Sequence, residues 1–312
     1  MNASEATQLW RSSRRTLIKL AALLGFGMTV QDGRRALADT GNPMVPQPVP
    51  PQAPAKEAIA ELADTRLFYW DTGGNGPAVV LLHPATGSAL MWVYQQPVFA
   101  RAGYRVVGYS RRGYYRSDAP RGADPGVAAE DLHHLVNFLG IAKFHAVSSA
   151  AGGSIAVDYA LTHPDKLLSL VVTSNSAGVR SGEIAQISDS LHPQAFEQMP
   201  AEFRELGTSY RAANPDGVRQ WVELHHKAIS GDIVRQRLGT MISAETLSTI
   251  KVPTLLMTGD ADLYTPPALL RMVAAQMPNS EVAIVPETGH AIYWERPDVF
   301  NSVVLDFIGR HS

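Results

Sequence analysis

Phe144-His145-Ala146-Val147-Ser148-Ser149-Ala150-Ala151-Gly152-Gly153-Ser154 is the stretch that decides how the chain is read. It opens as a short apolar run of strand character and passes through small residues and two glycines. It then continues as Ile155-Ala156-Val157-Asp158-Tyr159-Ala160-Leu161, apolar at helical spacing. A strand that turns sharply into a helix through small residues is the geometry of a nucleophile elbow, which usually reads G-x-S-x-G. Here the five positions read Ser148-Ser149-Ala150-Ala151-Gly152, so a methyl stands where a hydroxyl is expected. Gly152 and Gly153 let the helix start pack closely on neighbouring strands if they follow the apex by two and three residues, which favours Ala150 as the apex. Ser148 or Ser149 at the apex is the alternative, and Ser148 would end the strand two residues early.

Outward from this stretch the chain alternates strand and helix. Thr65–Asp71 alternates as a half-buried strand, and Ala78–His83 is a continuous apolar run of the kind a buried parallel strand shows. Tyr104–Tyr109, Leu167–Thr173, Val252–Thr258 and Glu281–Val285 read as further strands, with helices near Gly126–Leu139 and Val299–Ile308. This order predicts an α/β fold: a mostly parallel central sheet with helices on both faces. Residues from about 175 to 249 break the alternation. They are helical in period, with Pro193, Pro200 and Pro215 as breakers and no convincing strand, and predict a helical cap inserted over the sheet.

The N-terminal region reads differently. Ser13-Arg14-Arg15-Thr16-Leu17-Ile18-Lys19 resembles a twin-arginine export motif, a short apolar region follows, and Ala36-Leu37-Ala38 supplies a cleavage site. The expectation is a signal peptide over residues 1–38 and a periplasmic or secreted protein. A proline-rich linker over 39–58 follows, read as a tether outside a domain that spans 59–312. Removing residues 1–38 takes away six cationic and two acidic side chains, shifting the formal charge from −2 to −6.

Bulk properties narrow the function classes. The 312 residues, 45% hydrophobic, contain no cysteine, which excludes disulfides and thiolate nucleophiles or metal ligands. A net negative charge argues against nucleic acid as a partner. No uninterrupted apolar run approaches the ~20 residues of a membrane span. No cofactor or metal site is expected. The neighbouring His225 and His226 do not face one site on a helix.

With these pieces in order, the chain resembles the α/β-hydrolase family, in its capped esterase, epoxide-hydrolase and carbon–carbon-hydrolase branch, from roughly Glu61 to His311. The resemblance is carried by Leu81-Leu82-His83-Pro84, Arg112-Gly113-Tyr114-Tyr115-Arg116-Ser117, the elbow with His163-Pro164, Thr258-Gly259-Asp260-Ala261-Asp262, and Glu287-Thr288-Gly289-His290-Ala291. It implies a base, His290, oriented by an acid, Asp262, with Asp260 as the alternative acid, and Ala150 at the nucleophile position. It also implies an oxyanion hole from the N–H groups of Ala85 and Ala151. Pro84, Ser110 and Tyr115 stand where the family usually has glycine, aspartate and glycine. Substrate contacts are expected from His83, Tyr210, Trp221 and Tyr293, although aromatic residues of a cap often only pack it onto the core.

An elbow without serine admits three functions. The first is an enzyme that acts on a small organic substrate (an ester, lactone or carbonyl compound) through Asp262–His290 without a covalent step; lyase or cofactor-free oxygenase chemistry falls under it. The second is a serine hydrolase carrying Ser→Ala at position 150. The third is a small-molecule binder that keeps the pocket and has lost the chemistry. Oligomeric state is not legible.

Overall fold

The computed structural model describes residues 45–119, 124–180, 182–229 and 235–312. The expected export signal, residues 1–38, lies outside the described residues, as does the first part of the expected linker.

The strands are β1 (Lys56–Glu61), β2 (Arg66–Asp71), β3 (Ala78–Leu82), β4 (Arg105–Tyr109), β5 (Phe144–Ser149), β6 (Leu167–Thr173), β7 (Thr254–Gly259) and β8 (Ser280–Val285). They form one eight-stranded sheet in the order β1-β2-β4-β3-β5-β6-β7-β8. β1 and β2 pair antiparallel, as do β2 and β4, and every later pairing is parallel. The strand pleat sorts side chains between two cores. On β3, Ala78, Val80 and Leu82 enter one apolar cluster while Val79 and Leu81 enter the other, which is why the run is apolar without alternation.

Three helices follow in the first half: α1 (Gln96–Arg101), α2 (Ala128–Phe138) and α3 (Ala151–Thr162). The cap comprises α4 (Gly182–Ser190), α5 (Ala201–Glu205), α6 (Thr208–Ala213), α7 (Pro215–Ala228) and α8 (Ala244–Ser248). The chain closes with α9 (Pro267–Ala274), α10 (Ile292–Glu295) and α11 (Pro297–Gly309). Two prolines of the cap start helices as well as break the chain. Pro200 is the N-cap of α5 and Pro215 the first residue of α7, where a missing N–H costs nothing. One face of the sheet is covered by α2, α3 and α9, through residues such as Leu132, Val157 and Leu269. The other is covered by α1, α10 and α11, through Phe99, Trp294 and Phe307.

The sheet begins earlier than the sequence indicates. β1 starts at Lys56, inside the segment expected to be linker, because Lys56-Glu57-Ala58 extends an edge strand whose only buried residue is Ala60. Nor does the proline-rich segment stand clear of the domain. The Tyr94 hydroxyl donates to Gln47 O, Gln52 Nε2 donates to Val93 O, and Gln96 exchanges two hydrogen bonds with the Ala53 backbone.

Candidate active site

Ala150 joins β5 to α3 at φ 48°, ψ −121°, a backbone region that L-residues rarely adopt. Hydrogen bonds fix it from both sides: Ala150 N donates to Thr173 O at 2.9 Å, and Gly153 N donates to Ala150 O at 2.7 Å. A side chain at Gly152 would meet Leu82 O at 2.3 Å, and one at Gly153 would meet Asn175 Cβ at 2.9 Å and Val172 Cγ1 at 3.0 Å. The two glycines therefore let α3 start against β3 and β6, and so set the turn. Ser148 and Ser149 lie in the strand. Ser148 donates to Val171 O at 2.6 Å, and the Ser149 hydroxyl is buried without a hydrogen bond among the described residues. The N–H of Ala151, in the first turn of α3, has no partner within the helix.

His290 and Asp262 come together from the turns after β8 and β7. His290 Nδ1 lies 2.9 and 3.0 Å from the two carboxylate oxygens. Asp262 also accepts from Tyr264 N at 2.8 Å, Thr265 N at 3.0 Å and Thr258 Oγ1 at 3.0 Å, and its side chain is fully buried. Asp260, the alternative acid, is exposed. Burial pulls the His290 pKa down, but Asp262, Glu205 and Glu295 outweigh it and raise it to about 9. Burial raises the Asp262 pKa, and the His290 charge with the hydrogen bonds from His290, Thr265 and Tyr264 turns the net shift downward. The pair is accordingly an ion pair at neutral pH. That bears on the expected role of His290 as a base, because at neutral pH it carries a proton to give.

Two carboxylates that sequence reading missed hold this loop. Glu205, the last residue of α5, accepts through its backbone oxygen from His290 N at 2.8 Å and Ala291 N at 3.1 Å. The Glu295 carboxyl accepts from Gly207 N at 2.9 Å, Gly289 N at 3.0 Å and Ala291 N at 3.3 Å, tying the cap to the His290 loop. Burial pushes the Glu295 pKa up to about 7 against these three N–H groups. Tyr264, also missed, lies 4.5 Å from the His290 ring and bonds Arg204 Nη1 at 2.7 Å. No sequence spacing marks any of the three.

The expected substrate contacts divide. His83 has no exposed surface, and both ring nitrogens are used inside the protein. Nδ1 bonds Pro84 O at 2.7 Å, while Nε2 accepts from Arg111 N at 3.1 Å. Burial, then the Arg111 charge, hold its pKa well below the ordinary histidine value. It braces the loop that carries Ala85, which is a correction to its expected role. Ala85 itself is exposed, and the following Thr86 is buried with its carbonyl accepting from His225 Nδ1 at 2.7 Å. Trp221 is buried and stacks on His225, and Tyr293 is buried 5.0 Å from Trp92; neither polar atom has a hydrogen bond among the described residues. Tyr210 instead lines a depression with Gln47, Tyr94, Asn214 and Trp294, its hydroxyl accepting from Asn214 Nδ2 at 3.2 Å. Among the described residues no group of three or more His, Asp or Glu is arranged to hold a metal, and no helix is long and apolar enough to cross a membrane.

Known proteins share this architecture. Residues 77–214 match the family model of the alpha/beta hydrolase fold. A Caulobacter protein (strain K31) named "Putative carbamate hydrolase RutD" is 30% identical over 269 residues, covering 77% of this chain and 95% of its own length. A 2-hydroxy-6-oxononadienedioate/2-hydroxy-6-oxononatrienedioate hydrolase of Burkholderia vietnamiensis is 27% identical over 283 residues, covering 81% and 94%. Among solved structures, a thermophilic esterase from Thermogutta terrifontis superposes with a TM-score of 0.67 at 22% identity, covering 83% of this chain and 100% of that one. At that identity the likeness speaks for the fold. With a sheet of this order, a strained strand-to-helix turn and a His–Asp pair after the last two strands, the chain belongs to the α/β-hydrolase family and is an enzyme of that superfamily.

Proposed function

We propose that this protein hydrolyses a small organic carbonyl compound, an ester, lactone or activated C–C bond, without a covalent intermediate. The observation that carries the reading is His290 Nδ1 bonded to both oxygens of buried Asp262, in a fold whose strained strand-to-helix turn carries no nucleophile at its apex, Ala150. In this reading the N–H groups of Ala85 and Ala151 hold the carbonyl oxygen as charge develops on it. His290, protonated at neutral pH, gives its Nε2 proton to the leaving group. Such a scaffold has catalytic power left without a serine: oxyanion binding alone retains roughly 10³–10⁴-fold over water when triad members are removed. The names of the relatives, a carbamate hydrolase and a C–C hydrolase, support a small carbonyl substrate.

The test is turnover of aryl esters, lactones and 1,3-dicarbonyl compounds by the unmutated chain and by His290→Ala. Loss of a measurable rate in His290→Ala, with the fold retained, is expected; equal rates would move the chemistry elsewhere. The strain kept at Ala150 favours one second reading, an esterase-type enzyme with serine at this position, and that reading expects no turnover by the Ala150 chain. Export through the twin-arginine route is part of the proposal, on Arg14-Arg15 and Ala36-Leu37-Ala38. Replacing both arginines by lysine should leave precursor in the cytoplasm.

A further inference from the structure

Hydrolysis without a serine leaves one role unfilled. A water that attacks a carbonyl sheds a proton as the C–O bond forms, and a base must receive it. Asp262 and two further carboxylates favour the protonated form of His290, so in this reading the imidazole is assigned to the leaving group and the water's proton needs a second acceptor.

Three carboxyl groups bear on His290. Asp262 is spent on four donors, and Glu295 on three backbone N–H groups. Glu205 differs. Its main chain is locked to the His290 loop, its residue is 6% exposed, and its carboxyl interacts with the Thr86 hydroxyl in the loop after β3. That hydroxyl is buried, has no other hydrogen bond among the described residues, and helps hold the carboxyl charged. The other charged and titratable neighbours are accounted for. Arg204 is turned toward Glu197, Met199 O and Tyr264, and His225 is bonded to Thr86 O. Tyr264 and Tyr293 are held neutral by burial.

We propose that Glu205 is the general base of the reaction: its carboxylate, brought to His290 by the cap and facing Thr86, takes the proton from the attacking water. The inference rests on the serine-free reading above. The water oxygen bonds to the carbonyl carbon, one water proton passes to Glu205, and the carbonyl oxygen is held by the Ala85 and Ala151 N–H groups. The bond to the leaving group then breaks, the electron pair goes with that group, and His290 Nε2 protonates it. The products are a carboxylic acid and the protonated leaving group. Transfer of the proton from Glu205 to His290 resets the site. Burial, the first cause, raises the Glu205 pKa above the ordinary carboxylate value, with Asp262 adding to it and His290, Arg204 and Thr86 opposing. A base of that kind is better matched to neutral pH than an exposed carboxylate.

Four proteins test it on p-nitrophenyl acetate: Glu205 or Glu205→Gln, each with Ala150 or with Ala150→Ser. In the Ala150 background, Glu205→Gln should lower kcat by about 10²–10⁴-fold, the usual share of general-base catalysis, with little change in KM. In the Ala150→Ser background the same water must attack an acyl-enzyme, so Glu205→Gln should keep the burst and slow the steady state. A slowed steady state there, with an inert Ala150 chain, supports Glu205 and ends the serine-free reading. Equal steady states with Glu and Gln wherever turnover is seen overturn Glu205 and leave the serine-free reading to the Ala150 rate. Silence in all four overturns both. Melting temperatures separate lost chemistry from lost fold. If Glu205→Gln does not fold, Glu205→Asp and the pH profile of the Glu205 chain decide. A rate rising with pH through a limb above the ordinary carboxylate range, kept at reduced height in Glu205→Asp, supports the base, and a profile flat through the acid range overturns it.

Discussion

On the His290 side of the site, the buried carboxylate of Asp262 meets four donors, and the loop that carries the histidine is held by Glu205 O and the Glu295 carboxyl. On the elbow side, the backbone is as closely determined, yet the side chain it presents is a methyl. A non-glycine residue in so sparsely populated a region costs about 1–3 kcal/mol, a strain that an enzyme usually accepts in order to aim a nucleophile. The turn persists here because its causes lie elsewhere: in Gly152 against Leu82 O, in Gly153 against Val172 and Asn175, and in the Thr173 O bond to Ala150 N. The geometry of an elbow is thus separable from its chemistry.

The largest effect should come from filling the gap. Ala150→Ser places a hydroxyl on a turn already shaped for one, in a protein whose His290 is already oriented by Asp262. Removing the serine from such a triad costs on the order of 10⁶ in kcat, so even partial recovery should accelerate covalent labelling by a fluorophosphonate by about 10²-fold or more. Mass spectrometry of the labelled protein reads the gain. A folded but silent variant would mean that His290 and residue 150 do not face one point.

pH sharpens the contrast next. A serine triad needs neutral histidine, so its rate rises as the imidazole loses its proton. An acid role reverses the sign: His290 must keep its proton, and the rate should fall tenfold per unit above pH about 9. Hydrolysis of an alkyl ester, whose alkoxide needs that proton, measured from pH 6 to 10.5, distinguishes the two. The same shift acts on stability. With the folded pKa above its ordinary value, the histidine's contribution is complete below about pH 6.5 and is lost as pH rises through about 9.

Much of the His290 side, and of the sheet beneath both sides, is legible in the amino-acid sequence. Buried parallel strands such as Ala78–Leu82 and Leu167–Thr173 announce themselves as continuous apolar runs. The resemblance to the hydrolase family, through the Gly-Asp-Ala-Asp and Gly-His turns, implies Asp262 and His290, and the structure brings the two side chains together. Glu205 and Glu295 carry no such signal, because their partners lie far along the chain: Glu205 meets a loop 85 residues away, and Glu295 bonds Gly207 N across 88. β1 is hidden for another reason, since an exposed edge strand with charged ends has little apolar pattern to show. His83 misleads because a histidine after a strand looks available until its two ring nitrogens are seen to be engaged.

The third effect is structural. Glu295→Gln keeps the shape of the side chain but turns one acceptor oxygen into an N–H₂ facing backbone donors. At least one of the Gly207, Gly289 and Ala291 N–H groups then loses its partner in a buried place, at about 1–3 kcal/mol for each. Denaturant unfolding should show a loss of about 1–3 kcal/mol, and the His290 rate should fall with it because Gly289 is the residue before the histidine. A loss of stability below about 0.5 kcal/mol would mean that the cap and the His290 loop are held by other contacts.

The smallest effect is the most direct measure of the strain itself. Ala150→Gly removes the Cβ that makes φ 48°, ψ −121° unfavourable and leaves every backbone hydrogen bond of the turn in place. Relief at the upper end of the usual range, about 3 kcal/mol, is opposed by two costs. The unfolded chain gains about 0.5–1 kcal/mol of conformational freedom, and a buried methyl worth about 0.8 kcal/mol is lost. The balance is a gain of about 1 kcal/mol, seen as a rise of a few degrees in melting temperature. Gly152→Ala is the companion change, and it should act in the opposite direction, since its methyl would lie 2.3 Å from Leu82 O, a backbone atom in the middle of the sheet. If Ala150→Gly destabilises by a kcal/mol while Gly152→Ala does the same, the apex stores no strain, and the elbow is an ordinary turn that serine alone would not convert into a site.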